Sequence, residues 1–207
     1  MTELIQQGGP VMWPLLACSV VALAVVGDRL RYWFLAARSS APALVERLFA
    51  LVEAGRFEEA RQAGAGSSCP AVRMLAAGLA DRDHGAAESM EAAAREEIVR
   101  MRRRLSLLDT VITLSPLLGI LGTVTGIIVS FDLLGEAGIE NPKAVTGGIA
   151  QALVTTATGL AIAIVALLPF NAFSRRADAA VHELEQLATR FLVALKRGEA
   201  VASSPTS

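Results

Sequence analysis

Two long stretches of the sequence, 110–131 and 144–170, contain no Asp, Glu, Lys, Arg or His. Each is long enough to cross the hydrocarbon core of a bilayer, which is about 30 Å thick, at about 1.5 Å of helix per residue. Glycine and threonine are frequent in both, and they suit helices that touch closely or line a wet passage better than helices that only face lipid. The two stretches therefore predict a membrane protein that forms part of a pore.

Composition also places the chain in the membrane class. Hydrophobic residues make up 53% of it and charged residues only 19%, which is low for a soluble domain. The two cysteines, Cys18 and Cys69, lie in unlike surroundings, and the two histidines, His84 and His182, are far apart. These residues form no disulfide, metal or nucleophile–base pattern. No cofactor, no metal and no enzymatic activity are therefore expected.

An apolar run near the N-terminus, 11–26, predicts a further transmembrane helix over about 11–34. A signal peptide is the competing interpretation. However, the first ten residues carry Glu3 as their only charge and lack the basic segment of a signal peptide.

Basic residues indicate how the spans are oriented. They follow the apolar run of the first span at 29–31, precede the second span at 100–104 and follow the third at 175–176, whereas the connector 132–143 is mainly acidic. Because Lys and Arg concentrate on the cytoplasmic side, the N-terminus and this connector are predicted to be periplasmic, in a bacterial inner membrane. The run 100–104 is expected to contact lipid headgroups rather than nucleic acid.

Helical periodicity predicts short helices over 42–64 and 71–80 between the first two spans. The composition of 86–134 strongly favours helix, so one continuous helix of roughly 70 Å is expected there. The third span is expected to continue past Pro169 as an amphipathic helix. The predicted order is a periplasmic N-terminus (1–10), transmembrane helix 1 (11–34), a cytoplasmic helical region (35–104), transmembrane helix 2 (105–134), a periplasmic connector (135–144), transmembrane helix 3 (145–170), a cytoplasmic C-terminal helix (171–200) and a disordered tail (201–207).

Polar and small residues recur at helical spacing in both charge-free spans. Seven residues along a helix drift by only about 20° around its axis, so such a series forms one stripe. One interpretation is a hydroxyl-lined passage for ions or protons, and the other is that Ser and Thr bond their own backbone while glycine only permits packing. Spacing alone leaves both open. The stripes are Asp109, Pro116, Thr123 and Ser130 in the second span, flanked by Gly119, Gly122 and Gly126, and Gly148, Gln151, Thr155 and Thr158 in the third.

Gln151 is the most polar side chain of the third span. A primary amide in hydrocarbon is costly unless it finds a partner. It is expected either to bond across a helix interface or to belong to an ion path.

Two motifs occupy these spans: SPLLGILGTVTG at 115–126 and GIAQALVTTATGL at 148–160. Weaker signals are the segment 70–73, Gly78 and Asn171. Together they resemble the TolQ/ExbB/MotA family of proton-channel subunits. Three spans with an outside N-terminus resemble the TolQ/ExbB branch of that family.

The resemblance implies an all-α membrane protein with three transmembrane helices and long cytoplasmic helical extensions. It implies a homopentamer around two copies of a single-span partner of the TolR/ExbD type, whose transmembrane Asp carries the proton, with a TonB- or TolA-like protein as a further partner. The family's pore-lining threonines would fall on Thr123 and Thr156. In all, the expected ion-path residues are Thr123, Thr156, Gln151, Thr155 and Ser130, and the expected packing residues are Gly119, Gly122, Gly126, Gly159 and Pro116.

The sequence departs from the family pattern at two positions. ExbB-type sequences commonly have Glu where Gln151 stands and proline where Val165 stands. The first departure leaves the third span without a titrating residue, which fits a mechanism in which the partner binds the proton. A non-conducting structural scaffold is the alternative, and the sequence leaves open the partner, the driven process and the choice between H⁺ and Na⁺.

Overall fold

The computed structural model describes residues 9–137 and 142–203. Within these ranges the chain forms seven α-helices. Three helical segments, containing α1, α6 and α7, are long and apolar enough to cross a membrane. The prediction of an all-α membrane protein with three transmembrane helices is confirmed. The helices are α1 (Met12–Ser39), α2 (Pro42–Glu53), α3 (Phe57–Gly64), α4 (Pro70–Ala80), α5 (Ala86–Arg102), α6 (Leu105–Ala137) and α7 (Pro142–Ser203).

The chain divides into two compact units. One comprises Met1–Leu30 and Arg104–Phe173, and is called the membrane unit below because it contains the charge-free parts of α6 and α7. The other comprises Arg31–Arg103 and Ser174–Ser207, and is called the helical unit. The N-terminal part of α1 belongs to the membrane unit, and α2 to α5 belong to the helical unit.

The core of the membrane unit is built mainly from small and β-branched side chains, with the larger Leu108 among them. Cys18, Ala22 and Val25 of α1 are buried together with Leu108 and Val111 of α6 and with Ala166 of α7. Large apolar side chains instead cover the outside of the unit, as on Leu117, Ile128 and Leu168. This distribution is typical of helices in lipid, where small residues let backbones approach and large ones face the acyl chains.

The predicted continuous helix over 86–134 is wrong, because the chain breaks at Arg103 and Arg104. Arg104 has a φ of 64°, which no residue of a right-handed helix adopts. Its guanidinium lies 3.0 Å from the Asp28 carboxylate, and Asp28 also pairs with Arg29 at 2.7 Å. An ion pair made in the folded state thus stabilises a backbone conformation that local helix propensity disfavours.

The helical unit has a core of its own, around Phe191 of α7. Phe191 is fully buried and meets Phe49 edge to face, with ring centroids 5.5 Å apart. A buried carboxylate, Glu97, accepts from Arg73 at 2.6 Å and from Arg100 at 3.0 Å. The short helices expected over 42–64 and 71–80 are present as α2, α3 and α4, with Gly55 between the first two at a φ of 72°.

Some predicted boundaries differ from the structure. Helix α1 continues to Ser39 rather than ending at 34. The predicted continuation of the third span past Pro169 is confirmed, since α7 is one helix of 62 residues that includes this proline. The prediction of disorder over 201–207 is wrong for 201–203, which are helical, and 204–207 lie outside the described residues. Helices α6 and α7 both extend into the predicted connector. The predicted N-terminal segment is described only from residue 9, and residues 138–141 of the connector lie outside the described residues.

We expect Asp28→Asn to destabilise the protein, because it removes the carboxylate that Arg29 and Arg104 share while Arg29 remains only 4% exposed. Removing one partner of a buried pair costs about 3 kcal/mol. For a chain of this size that corresponds to a fall of roughly 6–12 °C in the midpoint of thermal unfolding in detergent. The control is Glu59→Gln, which breaks an exposed pair with Arg56 and should change the midpoint little. Equal shifts for the two variants would contradict a stabilising role for Asp28.

Candidate functional site: the contact between α6 and α7

Helix α6 approaches α7 through three glycines. A Cβ atom added at Gly119 would lie 3.0 Å from the Thr156 Cα, and one added at Gly126 would lie 2.9 Å from the Ala152 Cβ. A Cβ at Gly122 would collide with the Thr155 side chain. Contacts this short leave room for a hydrogen atom only, so the helices pack backbone to backbone along this stretch.

Helix α7 supplies matching small residues. A Cβ at Gly159 would collide with the Ser115 carbonyl oxygen, and one at Gly148 would collide with the Ser130 Oγ. Later positions of α6 thus meet earlier positions of α7, as in an antiparallel helix pair. Pro116 is half-buried within α6, next to this contact.

Two threonine hydroxyls donate hydrogen bonds to carbonyls in one turn of α6. The Thr156 Oγ1 donates across the helix contact to the Gly119 carbonyl at 2.8 Å. The Thr123 Oγ1 donates to the neighbouring carbonyl, that of Ile120, at 2.6 Å. Because the two acceptors are consecutive in sequence, hydroxyls from two helices lie at the same level of the membrane unit. Both threonines are half-buried, so neither is enclosed in the contact.

Thr155 and Ser130 occupy a different environment. They are 1% and 2% exposed, between α6 and α7. Each donates to a carbonyl four residues earlier in its own helix, Thr155 to Gln151 and Ser130 to Gly126, both at 2.8 Å. A role for these two residues in an ion path stays a prediction, since in this structure both are covered by the neighbouring helix.

Ser115 and Gly9 have contacts that sequence reasoning missed. Ser115 is fully buried, and its Oγ has no hydrogen-bond partner among the described residues. Gly9 packs against the side-chain amide of Gln151. The Gly9-Pro10 pair before an apolar run signals a turn, but no sequence pattern indicates which residue that turn contacts.

The described residues lack the groups that metal or nucleophilic chemistry requires. No cluster of three His, Cys, Asp or Glu side chains is found among them. Both cysteines are buried thiols without a disulfide. The polar groups of the α6–α7 contact are hydroxyls, backbone carbonyls and one amide, which can hold water or hydrogen-bond a partner but do not titrate near neutral pH.

Three apolar helices and a hydroxyl-bearing contact between two of them define a polytopic helical membrane protein with a polar interface inside its membrane unit. The sequence profile of the MotA/TolQ/ExbB proton channel family matches residues 68–186, which include both motifs of the α6–α7 contact. The chain belongs to this MotA/TolQ/ExbB proton channel family, a family of channels rather than of enzymes. The resemblance noted from the sequence is confirmed.

Individual relatives come from both named branches. An ExbB-like biopolymer transport protein of Synechocystis is 40% identical over 179 residues, which cover 80% of this chain and 67% of the relative. A second ExbB-like protein of Synechocystis is 34% identical over 173 residues, with 80% and 81% covered. The Tol-Pal system protein TolQ of Haemophilus influenzae is 35% identical over 113 residues, which cover 55% of this chain and 50% of TolQ.

We expect Gly159→Ala to disrupt the membrane unit, because the added methyl group would collide with the backbone oxygen of Ser115, which cannot rotate away. Overpacking of this kind costs about 1–3 kcal/mol. The matched control is Gly147→Ala in the same helix, where nothing lies within 4 Å. Alanine there should leave thermal stability unchanged or raise it by about 0.5–1 kcal/mol. Thermal unfolding in detergent measures both, and an equally harmless Gly159→Ala would show that the helices are not held this closely.

Proposed function

We propose that this chain is the channel subunit of a membrane motor of the ExbB/TolQ type, driven by the proton motive force. Five copies surround two copies of a single-span partner resembling TolR or ExbD, in the bacterial inner membrane, with the N-terminus periplasmic and the C-terminus cytoplasmic. The assembly energises transport or envelope work, and a TonB- or TolA-like protein is the candidate recipient of that work.

The observation that carries the proposal is the position of the Thr123 and Thr156 hydroxyls, which bond neighbouring carbonyls in one turn of α6. The Thr123 hydroxyl donates a hydrogen bond to the Ile120 carbonyl, and the Thr156 hydroxyl donates one to the Gly119 carbonyl. The oxygen of each keeps lone pairs that can accept a bond from water or from a protonated group. A partner helix facing this level would find two acceptors in an otherwise apolar surface. This is an arrangement suited to handling a proton rather than to packing alone.

The proton carrier in this scheme belongs to the partner. The stretches 110–131 and 144–170 contain no ionisable side chain, and hydroxyls at this depth relay protons through water without holding one at neutral pH. An acidic side chain on the partner would bind the proton beside the two threonines and lose its charge there. Neutralisation lowers the cost of moving that group through an apolar surface, so proton passage can displace the partner helix.

The neutral side chain of Gln151 is consistent with a proton carrier on the partner. Where ExbB-type sequences commonly have Glu, this chain has a neutral amide that can donate and accept hydrogen bonds without titrating. The amide would orient water near the path and leave proton binding to the partner.

The alternative is a non-conducting scaffold that keeps the fold. Co-purification with a short, single-span protein encoded nearby, followed by measurement of the subunit ratio, separates the two. A scaffold would have no need of a partner whose span carries an acid.

We expect Thr123→Val and Thr156→Val each to reduce partner-dependent proton flux by about tenfold or more, as loss of one hydrogen bond worth about 1.4 kcal/mol would do. Valine keeps the shape of threonine and removes the hydroxyl. The measurement is proton uptake by proteoliposomes that contain the complex with its partner.

The matched control for this pair is Thr158→Val. Thr158 lies in the same helix and donates to the carbonyl of Val154 in its own helix. Flux should survive this change, while Thr156→Ser should restore flux relative to Thr156→Val. Normal flux in both Thr123→Val and Thr156→Val would contradict the proposal that these threonines line the proton path.

We expect Gln151→Glu to be better tolerated than Gln151→Leu, because glutamate retains a polar group at a site where leucine would leave nothing to bond water. The same flux assay, normalised to the amount of assembled complex, gives the comparison. If leucine proves the milder change, Gln151 serves packing and not the path.

A further inference from the structure

A short turn precedes the first transmembrane helix and lies against the other two. In this turn the Met12 N–H donates to the Gly9 carbonyl at 3.1 Å and the Trp13 N–H donates to the Pro10 carbonyl at 3.3 Å. Gly9 has a φ of 68°, a left-handed conformation that favours glycine. The turn therefore has a defined backbone shape that depends on glycine at this position.

The turn contacts the amide of Gln151. A Cβ at Gly9 would collide with the Gln151 Nε2 and would lie 3.2 Å from its Cδ. The amide thus packs on the Gly9 α-carbon, in space that any other residue would fill. Two independent features, the left-handed backbone and the contact with Gln151, require glycine here.

Beside this contact lies a partly open cavity of about 230 Å³ in the membrane unit, with Thr125 and Val129 on its exposed side. A cavity of this size has room for several waters. Its wall includes Pro10 and Val11 of the turn, Thr125 and Gly126 of α6, and Gly148 and Gln151 of α7.

The polar groups of the wall favour water over an empty space. The side chain of Gln151 is half-buried and carries two donors and an acceptor. The Thr125 Oγ1 donates to its own helix at 2.9 Å and keeps its lone pairs for a further bond. A buried water needs two to four polar partners, which these groups supply, whereas an amide left dry in hydrocarbon is costly.

We propose that the turn 9–11, Thr125 and Gln151 line a water-holding pocket that supplies protons to the ion path from the membrane face on which the N-terminus lies. Gly9 is a positioning residue in this pocket, since it acts by holding the Gln151 amide. The inference rests on the proposed channel function for its role, while the water in the pocket can be tested without it.

The hydration test uses cysteine labelling of the full chain in native membranes, with Cys18 and Cys69 replaced by alanine. Thiols react with methanethiosulfonates as thiolates, which form in water and not in an apolar environment. A Thr125→Cys thiol should therefore react with a membrane-impermeant reagent, added from the N-terminal face, about tenfold faster than an Ile128→Cys thiol. Ile128 lies one turn further along α6, is 54% exposed and does not line the cavity.

Either of two labelling results would contradict the proposal that the pocket holds water. No reaction at Thr125→Cys means a dry cavity, and equal rates at the two positions mean water that is not confined to it. Because Gly9 is unchanged in both variants, the result does not depend on whether a Gly9 substitution folds.

The positioning role is tested by Gly9→Ala in the complex with its partner, and Gly66→Ala is the matched control. Gly66 has a φ of 72°, close to that of Gly9, but nothing lies within 4 Å of its added Cβ. Both alanines therefore carry the same backbone strain and differ in the collision with Gln151. Gly9→Ala should reduce proton flux about tenfold or more, and Gly66→Ala should leave flux near wild type.

A double variant shows whether Gly9 acts through Gln151. In a Gln151→Ala background the collision is gone, so Gly9→Ala should add no further loss of flux. Independent, multiplying losses would overturn the positioning role, as would normal flux in Gly9→Ala. Absence of partner-dependent flux in the wild type would instead contradict the proposed function, while labelling of Thr125→Cys would still establish the pocket.

Discussion

The close approach of α6 to α7 is the constraint on which the rest of the membrane unit depends. At Gly119, Gly122 and Gly159 a single methyl group would collide with the facing helix or press against its backbone. This spacing brings the Thr156 hydroxyl within 2.8 Å of a carbonyl on α6 and encloses Thr155 and Ser130 between the helices. Larger residues at the glycines would separate the helices, and the two half-buried threonines would no longer share one level.

Polar groups in the membrane unit fall into two sets with different physical roles. Ser130 and Thr155 satisfy their hydrogen bonds within their own helices and are buried. Thr123, Thr156 and Gln151 keep bonding capacity and partial exposure. None of these groups ionises. The membrane unit can therefore hydrogen-bond water or a protonated side chain, but it cannot itself bind a proton as a charged group. A motor built on such a unit needs an acid from another polypeptide, which is the reason the partner is central to the proposed function.

The helix break at Arg103 and the contact of Gln151 show where reading the sequence was insufficient. Nothing between Ala86 and Arg104 breaks a helix by composition, yet Arg104 leaves helical geometry and pairs with Asp28, far away in the sequence. The amide of Gln151 could be recognised as polar and costly, but its neighbour is a glycine more than a hundred residues earlier. Both contacts are long-range, and local propensity carries no information about long-range partners.

The two charge-free stretches, the N-terminal apolar run and the two motifs were sufficient by themselves to predict a three-span helical membrane protein that resembles the proton channel family. The spans follow from transfer of side chains to lipid and from local helix formation, which depend on composition and spacing, whereas the family follows only from the resemblance of the motifs. Tertiary structure decided which hydroxyls are enclosed and which remain accessible, where α5 ends, and that the turn at Gly9 contacts Gln151. Helical spacing places residues on a stripe, but only the facing helix determines whether that stripe is covered.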